Sequence, residues 1–257
     1  MASFSRSGET LLQRCLNAHP DIEVVHQIMA RDIPEDLEVF DKFTQRKEQH
    51  IDIDAPLLKH RNLKPSSVLL LKNAVWVHGH PRRGFTLVRN PFSLIASSYR
   101  EAPPPDQAKR QRAQQIRWAR GIDPKMINMM DGSKTIHGFL ALYSRKMLQD
   151  RRDGLPFVRY EDFVAEPEPW LRKIVAHLGL PWSDRVMKSH EDYAKGLKGH
   201  GGIKLWQPIN QGSTNKYKAM SEAVKAHIYG LTHEVLHQYG YTWDGETLGL
   251  RAVDGML

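Results

Sequence analysis

A turn with the chemistry to bind an anion lies near the start of the chain, at residues 5–12. Arg6, Ser7 and Gly8 come directly before a helical pattern, and Thr10 falls in its first turn. Such a turn directs backbone N–H groups and the positive end of a helix at an anion, and arginine and hydroxyl side chains add further donors. These residues indicate a phosphate-binding turn, while an ordinary loop followed by a helix cap is the alternative.

The turn differs from the P-loop of ATP- and GTP-binding proteins. That pattern places a lysine and then a Ser or Thr after its last glycine, whereas Glu9 follows Gly8 here and the basic residue, Arg6, precedes it. The difference disfavours a P-loop kinase, which stays an alternative function.

A second candidate anion site follows a short apolar run at residues 85–88. Arg89 ends this run, Pro91 suits the first turn of a helix, and Ser97 lies two helical turns further on. Because open α/β sheets bind their ligands at the carboxyl ends of the strands, Arg89 stands where such a ligand would bind. Taken alone, the pattern also fits a strand, a turn and a helix with an incidental arginine.

Short apolar runs alternate along the chain with longer segments of helical periodicity. The short runs are residues 68–71, 85–88 and 157–160. The segments with helical periodicity are residues 92–100, 136–149, 170–178 and 221–239. This alternation favours a parallel sheet covered by helices. We expect an α/β fold with a single P-loop-like domain, in which a central parallel sheet is flanked by helices on both faces.

We expect one domain over residues 1–257, with residues 41–63 and 101–130 as candidate insertions or lid segments. The first of these segments is rich in charged residues with little periodicity, and the second is strongly basic. Its basic side chains around Trp118 are Lys109, Arg110, Arg112, Arg117 and Arg120. A run of this kind fits a solvated helix face as well as a surface that binds an anionic substrate.

The composition excludes several classes of protein. The chain has 257 residues, a net charge of +8 and 40% hydrophobic residues, which is close to the globular average and excludes disordered and fibrous classes. A single cysteine, Cys15, excludes disulfide scaffolds and thiolate zinc ribbons. No apolar run reaches the ~18 residues that a membrane span needs. We expect a cytoplasmic protein without a transmembrane segment.

Four motifs, in the same order along the chain, resemble those of the sulfotransferases that use 3′-phosphoadenosine 5′-phosphosulfate (PAPS). They are similar to the family's 5′-phosphosulfate loop at residues 5–12, its 3′-phosphate motif at Arg89-Asn90-Pro91 and Ser97, its Y-E-D segment at residues 159–163, and its closing region at residues 215–218 and 239–241. The resemblance covers nearly the whole chain.

The resemblance implies PAPS as co-substrate and no metal. It implies that Arg89 and Ser97 bind the 3′-phosphate and that Tyr160 lies against the adenine. Arg6 holds the phosphosulfate and Lys72, at the end of the run at 68–71, stabilises the leaving phosphate oxygen. The other cofactor-binding residues that it implies are Ser7, Gly8, Glu9, Thr10, Asn215 and Lys216.

Glu9 departs from the family pattern, which has Ser or Thr at this position. A carboxylate beside a phosphate would weaken binding if it pointed inward. It would instead favour the helix dipole if it pointed to solvent from the first helical turn.

The acceptor hydroxyl also needs a general base. His26 follows the strand-like run at residues 21–25, in the region where some family members carry a catalytic Glu or His. We expect His26 to be the base, with His78 or a carboxylate as the alternative; His80 lies in the same stretch as His78, although the spacing of both from Lys72 does not match the family.

A competing motif lies near the end of the chain, where His233, Glu234 and His237 match H-E-x-x-H. Two histidines one helical turn apart bind zinc in peptidases, with the glutamate as base. In a chain with 13 histidines such a match arises easily by chance. A zinc peptidase and a non-catalytic binder of an anionic ligand stay alternatives.

The acceptor and the partners are not specified by the sequence. We expect transfer to a hydroxyl or amine, with an anionic glycan or lipid, or a small molecule, as candidate acceptors. The chain carries no recognised nucleic-acid module, so we expect no nucleic-acid partner.

Overall fold

The structure is a computed structural model that describes residues 1–25, 68–71, 84–99, 104–132, 135–199 and 202–257. Its strands are β1 (Ala2–Ser3), β2 (Ile22–Val25), β3 (Val68–Leu71), β4 (Thr86–Val88), β5 (Phe157–Arg159), β6 (Tyr241–Trp243) and β7 (Leu248–Leu250). Its α-helices are α1 (Glu9–Asn17), α2 (Pro91–Ser98), α3 (Pro105–Ile122), α4 (Ile127–Gly132), α5 (Thr135–Arg152), α6 (Tyr160–Ala165), α7 (Pro167–His177) and α8 (Glu222–Gln238).

The central strands pair in parallel, in the order β1-β4-β5. Thr86 of β4 lies between Ala2 of β1 and Phe157 of β5, so the three strands end together near the turn that precedes α1. Strands β2 and β3 form a second parallel ladder in which Ile22 is opposite Val68. Strands β6 and β7 form an antiparallel hairpin near the C-terminus.

Apolar clusters cover both faces of the central sheet because neighbouring residues of a strand point to opposite sides. Val88 and Phe157 belong to one cluster, with side chains from α2, α3, α5 and α8. Leu87 and Val158 belong to the other, with side chains from α1, α6 and α7. The predicted α/β fold, a parallel sheet with helices on both faces, is confirmed.

The predicted elements agree with the structure to within a few residues. The run at 157–160 ends as a strand at Arg159, and Tyr160 instead begins helix α6. This difference matters for function because it places Tyr160 at the carboxyl end of the sheet.

The basic segment at residues 101–130 is described from residue 104 onward. It contains helix α3, which begins at Pro105, and Ala119 and Ile122 of this helix are fully buried in the core. The apolar side of this helix therefore packs into the core, and its interpretation as an insertion or a lid stays a prediction. Residues 41–63 lie outside the described residues.

No helix in the described part of the chain is both long enough and apolar enough to cross a membrane.

Candidate active site

The turn between β1 and α1 has the backbone conformation of an anion-binding loop. Arg6 and Gly8 have φ angles of 74° and 98°, in the left-handed region, and the Ser7 N–H donates to the Phe4 carbonyl at 3.1 Å. Gly8 caps α1, and its carbonyl accepts from Leu11 at 3.0 Å. The N–H groups at the start of α1 and the positive end of its dipole give this turn the chemistry of an anion site.

The left-handed conformation of Arg6 is strained because its Cβ crowds the backbone. For a residue other than glycine such a conformation costs about 1 to 3 kcal/mol, and it tends to persist at functional sites where the surroundings enforce it. The arginine is the one non-glycine residue with positive φ among the described residues. A glycine at position 6 would be free of this strain. The presence of an arginine there therefore indicates that its side chain has a function.

The ring of Tyr160 packs directly against Gly8 of the turn. A methyl group on Gly8 would overlap the Tyr160 ring, so only a glycine permits this close approach. The Tyr160 hydroxyl lies 3.0 Å from the Ser213 Oγ, and the guanidinium carbon of Arg89 lies 4.3 Å from the ring centroid. Tyr160 therefore joins the anion loop to the second candidate anion site.

Arg89 is held at the end of β4 by contacts on several sides. Its Nη1 donates to the Arg6 carbonyl at 3.1 Å and its Nη2 to the Ser213 carbonyl at 2.7 Å. The Arg89 carbonyl accepts from the Tyr143 hydroxyl at 2.8 Å. Burial raises the pKa of Tyr143 well above its usual value, so the phenol stays protonated and keeps donating.

A buried network fixes the turn after Arg89. Asn90 caps α2 by accepting from the Ser93 N–H at 2.7 Å, and its Nδ2 donates to Glu161 Oε1 at 2.5 Å. The other oxygen of Glu161 accepts from the Tyr241 hydroxyl at 2.7 Å. Burial is the main cause that raises the pKa of Tyr241 well above its usual value, and the negative charge of nearby Glu161 adds to it. This hydroxyl therefore also remains a donor.

The two candidate anion sites open into one cleft of about 500 Å³. Its described walls carry a large excess of positive charge over negative, because Glu9 is the single carboxylate among them. The basic side chains that line it are Arg6, Arg14, Arg89, Lys204 and Lys216.

Several buried donors at the cleft have no hydrogen-bond partner within the described part of the chain. They are Arg6 Nε, Arg14 Nη2 and Arg89 Nε, and the Ser7 Oγ of the loop is buried and unpartnered as well. Buried polar groups are normally satisfied, so exceptions at a cleft fit a ligand that accepts hydrogen bonds. The phosphate and sulfate oxygens of PAPS have this chemistry, and the residues present fit the co-substrate.

Most of the sequence-predicted binding residues come together here. Those that line the cleft are Arg6, Gly8, Glu9, Thr10, Arg89, Ser97, Tyr160 and Lys216. Ser7 is buried within the loop, and Asn215 precedes Lys216 without lining the cleft. Their roles as ligands of PAPS stay predictions. His26, Lys72, His78 and His80 lie outside the described residues.

Two predicted residues already have partners within the fold. The Ser97 hydroxyl donates to the Leu94 carbonyl at 2.8 Å. Glu9 is 6% exposed and accepts from the Ser3 hydroxyl at 3.5 Å, so its carboxylate does not point to solvent. A hydrogen-bonded, buried carboxylate offers an alternative to direct contact between Glu9 and the anion.

Arg14 and the segment at residues 202–213 also line the cleft and were not predicted from the sequence. Arg14 comes four residues after Thr10, and residues four apart share one face of a helix. That spacing was the available signal for Arg14. The segment at 202–213 has no periodicity and offered none.

The H-E-x-x-H residues His233, Glu234 and His237 are exposed on α8. The described residues contain no group of three or more His, Cys, Asp or Glu side chains placed to hold a metal. Within that part of the chain, the motif lacks the third ligand that a zinc peptidase needs.

Comparisons with known proteins agree with the motifs. The sequence profile described as "Sulfotransferase family" matches residues 75–184. The chain is 26% identical to protein-tyrosine sulfotransferase 1 of Danio rerio, over 78% of this chain and 57% of that protein. It is 25% identical to protein-tyrosine sulfotransferase 2 of Gallus gallus, over 78% of this chain and 54% of that protein. The chain thus spans little more than half the length of these relatives.

Two solved structures share the fold. One is the sulfotransferase domain from the curacin biosynthetic pathway, with a TM-score of 0.52, 14% identity and coverage of 91% of this chain and 95% of that one. The other is the sulfotransferase domain from the Synechococcus PCC 7002 olefin synthase, with a TM-score of 0.50, 14% identity and 94% coverage of each chain. The resemblance to sulfotransferases and the fold expected from it are confirmed.

We predict that Gly8→Ala destabilises the protein by several kcal/mol, because the added methyl group meets the Tyr160 ring and the φ of 98° disfavours alanine. Gly154→Ala is the matched control, since Gly154 has a φ of 73° with nothing within 4 Å of an added Cβ. Urea unfolding of both variants measures the difference. Equal losses would mean that contact with Tyr160 contributes nothing.

We also predict that Arg6→Gly separates stability from binding. Removing the left-handed strain should leave the free energy of unfolding unchanged or raise it by up to ~1 kcal/mol. Binding of 3′,5′-adenosine bisphosphate should weaken at least tenfold, because a charged donor to a phosphate is lost. Calorimetry and thermal melting measure the two effects. A variant that binds as tightly as the wild type would show that the Arg6 side chain takes no part in the site.

Proposed function

We propose that the protein is a PAPS-dependent sulfotransferase that moves a sulfuryl group to a hydroxyl or amine of an acceptor. One observation carries the proposal above the others. Two anion sites, the loop at Arg6–Gly8 and the end of β4 at Arg89, share a single cleft and are linked through Tyr160. A nucleotide with phosphate groups at both its 5′ and 3′ positions needs such a pair of sites.

Each of the two sites binds a different part of this nucleotide. The loop N–H groups, Ser7 and Arg6 bind the phosphosulfate, and Arg89 with Ser97 binds the 3′-phosphate. Lys216 lines the same cleft and adds positive charge. Tyr160 is 5% exposed and already contacts Gly8 and Arg89, so it supports both sites whether or not it also meets the adenine.

PAPS supplies an activated sulfur atom whose bond to the bridging phosphate oxygen breaks as the acceptor oxygen bonds to it. The protein must align the acceptor with this bond and stabilise the charge that develops on the leaving oxygen. We assign that charge stabilisation to Arg6 and Lys72, and the acceptor proton to His26. Positive side chains provide the electrostatic role that a metal has in many phosphoryl transfers, so the proposal needs no metal.

The acceptor is proposed only as a class. The names of the relatives make a protein tyrosine one candidate hydroxyl, and the positive cleft favours an acceptor that is itself anionic, such as an acidic glycan or lipid. All of these belong in one acceptor screen.

The function is tested by transfer of labelled sulfate from PAPS to a panel of tyrosine peptides, glycans, lipids and phenols. We expect labelled product from at least one class without added metal. We also expect thermal stabilisation by 3′,5′-adenosine bisphosphate without magnesium. Stabilisation by ATP with magnesium, and none by the bisphosphate, would contradict the proposal and favour a kinase.

We predict that Arg89→Ala weakens binding of 3′,5′-adenosine bisphosphate by roughly 10- to 100-fold, since charge-assisted hydrogen bonds contribute about 1.5 to 3 kcal/mol each. Binding of AMP, which lacks the 3′-phosphate, should change much less. Calorimetry with both nucleotides measures the contrast. Equal losses for the two would show that Arg89 only holds the cleft together.

We predict that His26→Ala lowers kcat by roughly 10²- to 10⁴-fold, the usual contribution of a general base, while affinity for the bisphosphate stays within about twofold. His26→Gln should be as slow, because glutamine forms hydrogen bonds but takes up no proton. Steady-state kinetics with any acceptor found in the screen measures this. Normal turnover in both variants would remove His26 from the mechanism.

A further inference from the structure

One wall of the cleft is a segment that we call the strap, residues 202–214. Its first residues pair with the stretch before it, since Gly199 N–H donates to the Ile203 carbonyl and Leu205 N–H to the Leu197 carbonyl, and it ends just before the short helix at Lys216–Ala219. More than a third of the residues that line the cleft belong to it. The width of the cleft therefore depends on where the strap is held.

The far end of the strap is held by the nucleotide site itself. The Ser213 carbonyl accepts from Arg89 Nη2 at 2.7 Å, and the Ser213 Oγ lies 3.0 Å from the Tyr160 hydroxyl. The next carbonyl, that of Thr214, accepts from Ser93 Oγ at 2.8 Å. These contacts tie this end of the strap to the end of β4, to α2 and to Tyr160 at the start of α6.

The near end of the strap, residues 205–207, is hydrogen-bonded to α1 through the side chain of Arg14. Its Nη1 donates to the carbonyls of Leu205 and Gln207, each at 2.8 Å. Its Nε donates to Ser189 Oγ at 3.2 Å, and Arg14 is only 4% exposed. A guanidinium makes these bonds in several directions from one rigid plane, which an ammonium group cannot do.

The other backbone hydrogen bonds near this end do not reach α1. Gly199 N–H donates to the Ile203 carbonyl at 2.8 Å, and Leu205 N–H donates to the Leu197 carbonyl at 3.2 Å. Both bonds stay within residues 197–205. Ile203 and Ile209 pack against the core, so the strap would loosen rather than detach without Arg14.

We infer that Arg14 is a positioning residue, which fixes the strap against α1 and thereby sets the nucleotide cleft. The helix that carries Arg14 is the same helix whose first turn forms the phosphate loop. Helix α1 therefore connects the strap to the phosphate loop, because Arg14 comes six residues after Gly8 of the loop. This inference rests on the proposed function, because it assigns Arg14 a role in that function's cleft.

Two variants of Arg14 and a matched control separate this role from simple packing. Arg14→Lys keeps the charge but places it on one nitrogen of a shorter side chain, and Arg14→Met keeps most of the apolar stem and removes every donor. Ser189→Ala removes the third partner of the same guanidinium and leaves both strap bonds intact. Arg110→Lys controls for the exchange of arginine for lysine. The Arg110 side chain is 76% exposed and forms a surface ion pair with Asp106.

Hydrogen exchange of the free protein measures the strap directly. We expect the Gln207 amide, which donates to the Lys204 carbonyl within the stretch that Arg14 holds, to exchange about tenfold faster or more in both Arg14 variants. The reason is that loss of a charge-assisted hydrogen bond corresponds to at least one decade in an equilibrium constant. Amides in α5 should keep their rates. Ser189→Ala and Arg110→Lys should leave the strap amides unchanged.

Nucleotide affinity then tests the consequence for the cleft. Binding of 3′,5′-adenosine bisphosphate should weaken about tenfold in Arg14→Lys and remain normal in Ser189→Ala, a difference of roughly 1.4 kcal/mol. With an acceptor in hand, KM for PAPS should rise while kcat changes by less than threefold. A general loss of stability would not produce that division.

Unchanged exchange of the strap amides in a folded Arg14→Lys protein would overturn the inference. So would equal effects of Arg14→Lys and Ser189→Ala, since the role would then be packing around the guanidinium. If Arg14→Met fails to fold, Arg14→Lys alone decides. A wild-type protein that fails to bind the bisphosphate would remove the proposed function, and with it the cleft role of Arg14, whereas the exchange rates report separately whether Arg14 holds the strap.

Discussion

The guanidinium of Arg89 is the interaction on which the rest of the site depends. It donates to the phosphate loop through the Arg6 carbonyl, donates to the strap through the Ser213 carbonyl, and lies over the ring of Tyr160. Since it is 5% exposed and permanently charged, its burial is favourable only with acceptors around it. Two backbone carbonyls meet part of that need, and an anionic ligand at Nε would meet more of it.

Stability and function therefore compete in a small region. Arg6 is strained, Arg89 and Arg14 each keep an unpartnered buried donor within the described structure, and Glu9 places a carboxylate beside them. Such features destabilise a protein without its ligand. The remainder of the fold offsets them with two well-packed apolar clusters and with buried tyrosines, such as Tyr143 and Tyr241, that fix the strand ends.

Residues close together in sequence were the most predictable part of this site. The candidate phosphate loop and the Arg89-to-Ser97 motif each form within one turn and one helix, so the two patterns together indicated an anion site while each alone also fitted an ordinary turn. The parallel sheet followed from short apolar runs between helical segments. By contrast, Arg14 contacts the strap across 191 residues, and its acceptors are backbone carbonyls that leave no trace in side-chain identity. Helix α3 was hidden because basic residues cover its exposed side, while Ala119 and Ile122 mark its buried side only weakly.

A crystal structure of the protein with 3′,5′-adenosine bisphosphate tests the central claim most directly, because the claim is that two anion sites in one cleft bind one nucleotide. The account predicts the 5′-phosphate within hydrogen-bonding distance of the loop N–H groups and the Arg6 or Ser7 side chain. It predicts the 3′-phosphate beside Arg89 and Ser97, with the strap between residues 202 and 214 closed over it. A nucleotide bound elsewhere, or with its phosphates away from both sites, would contradict the account.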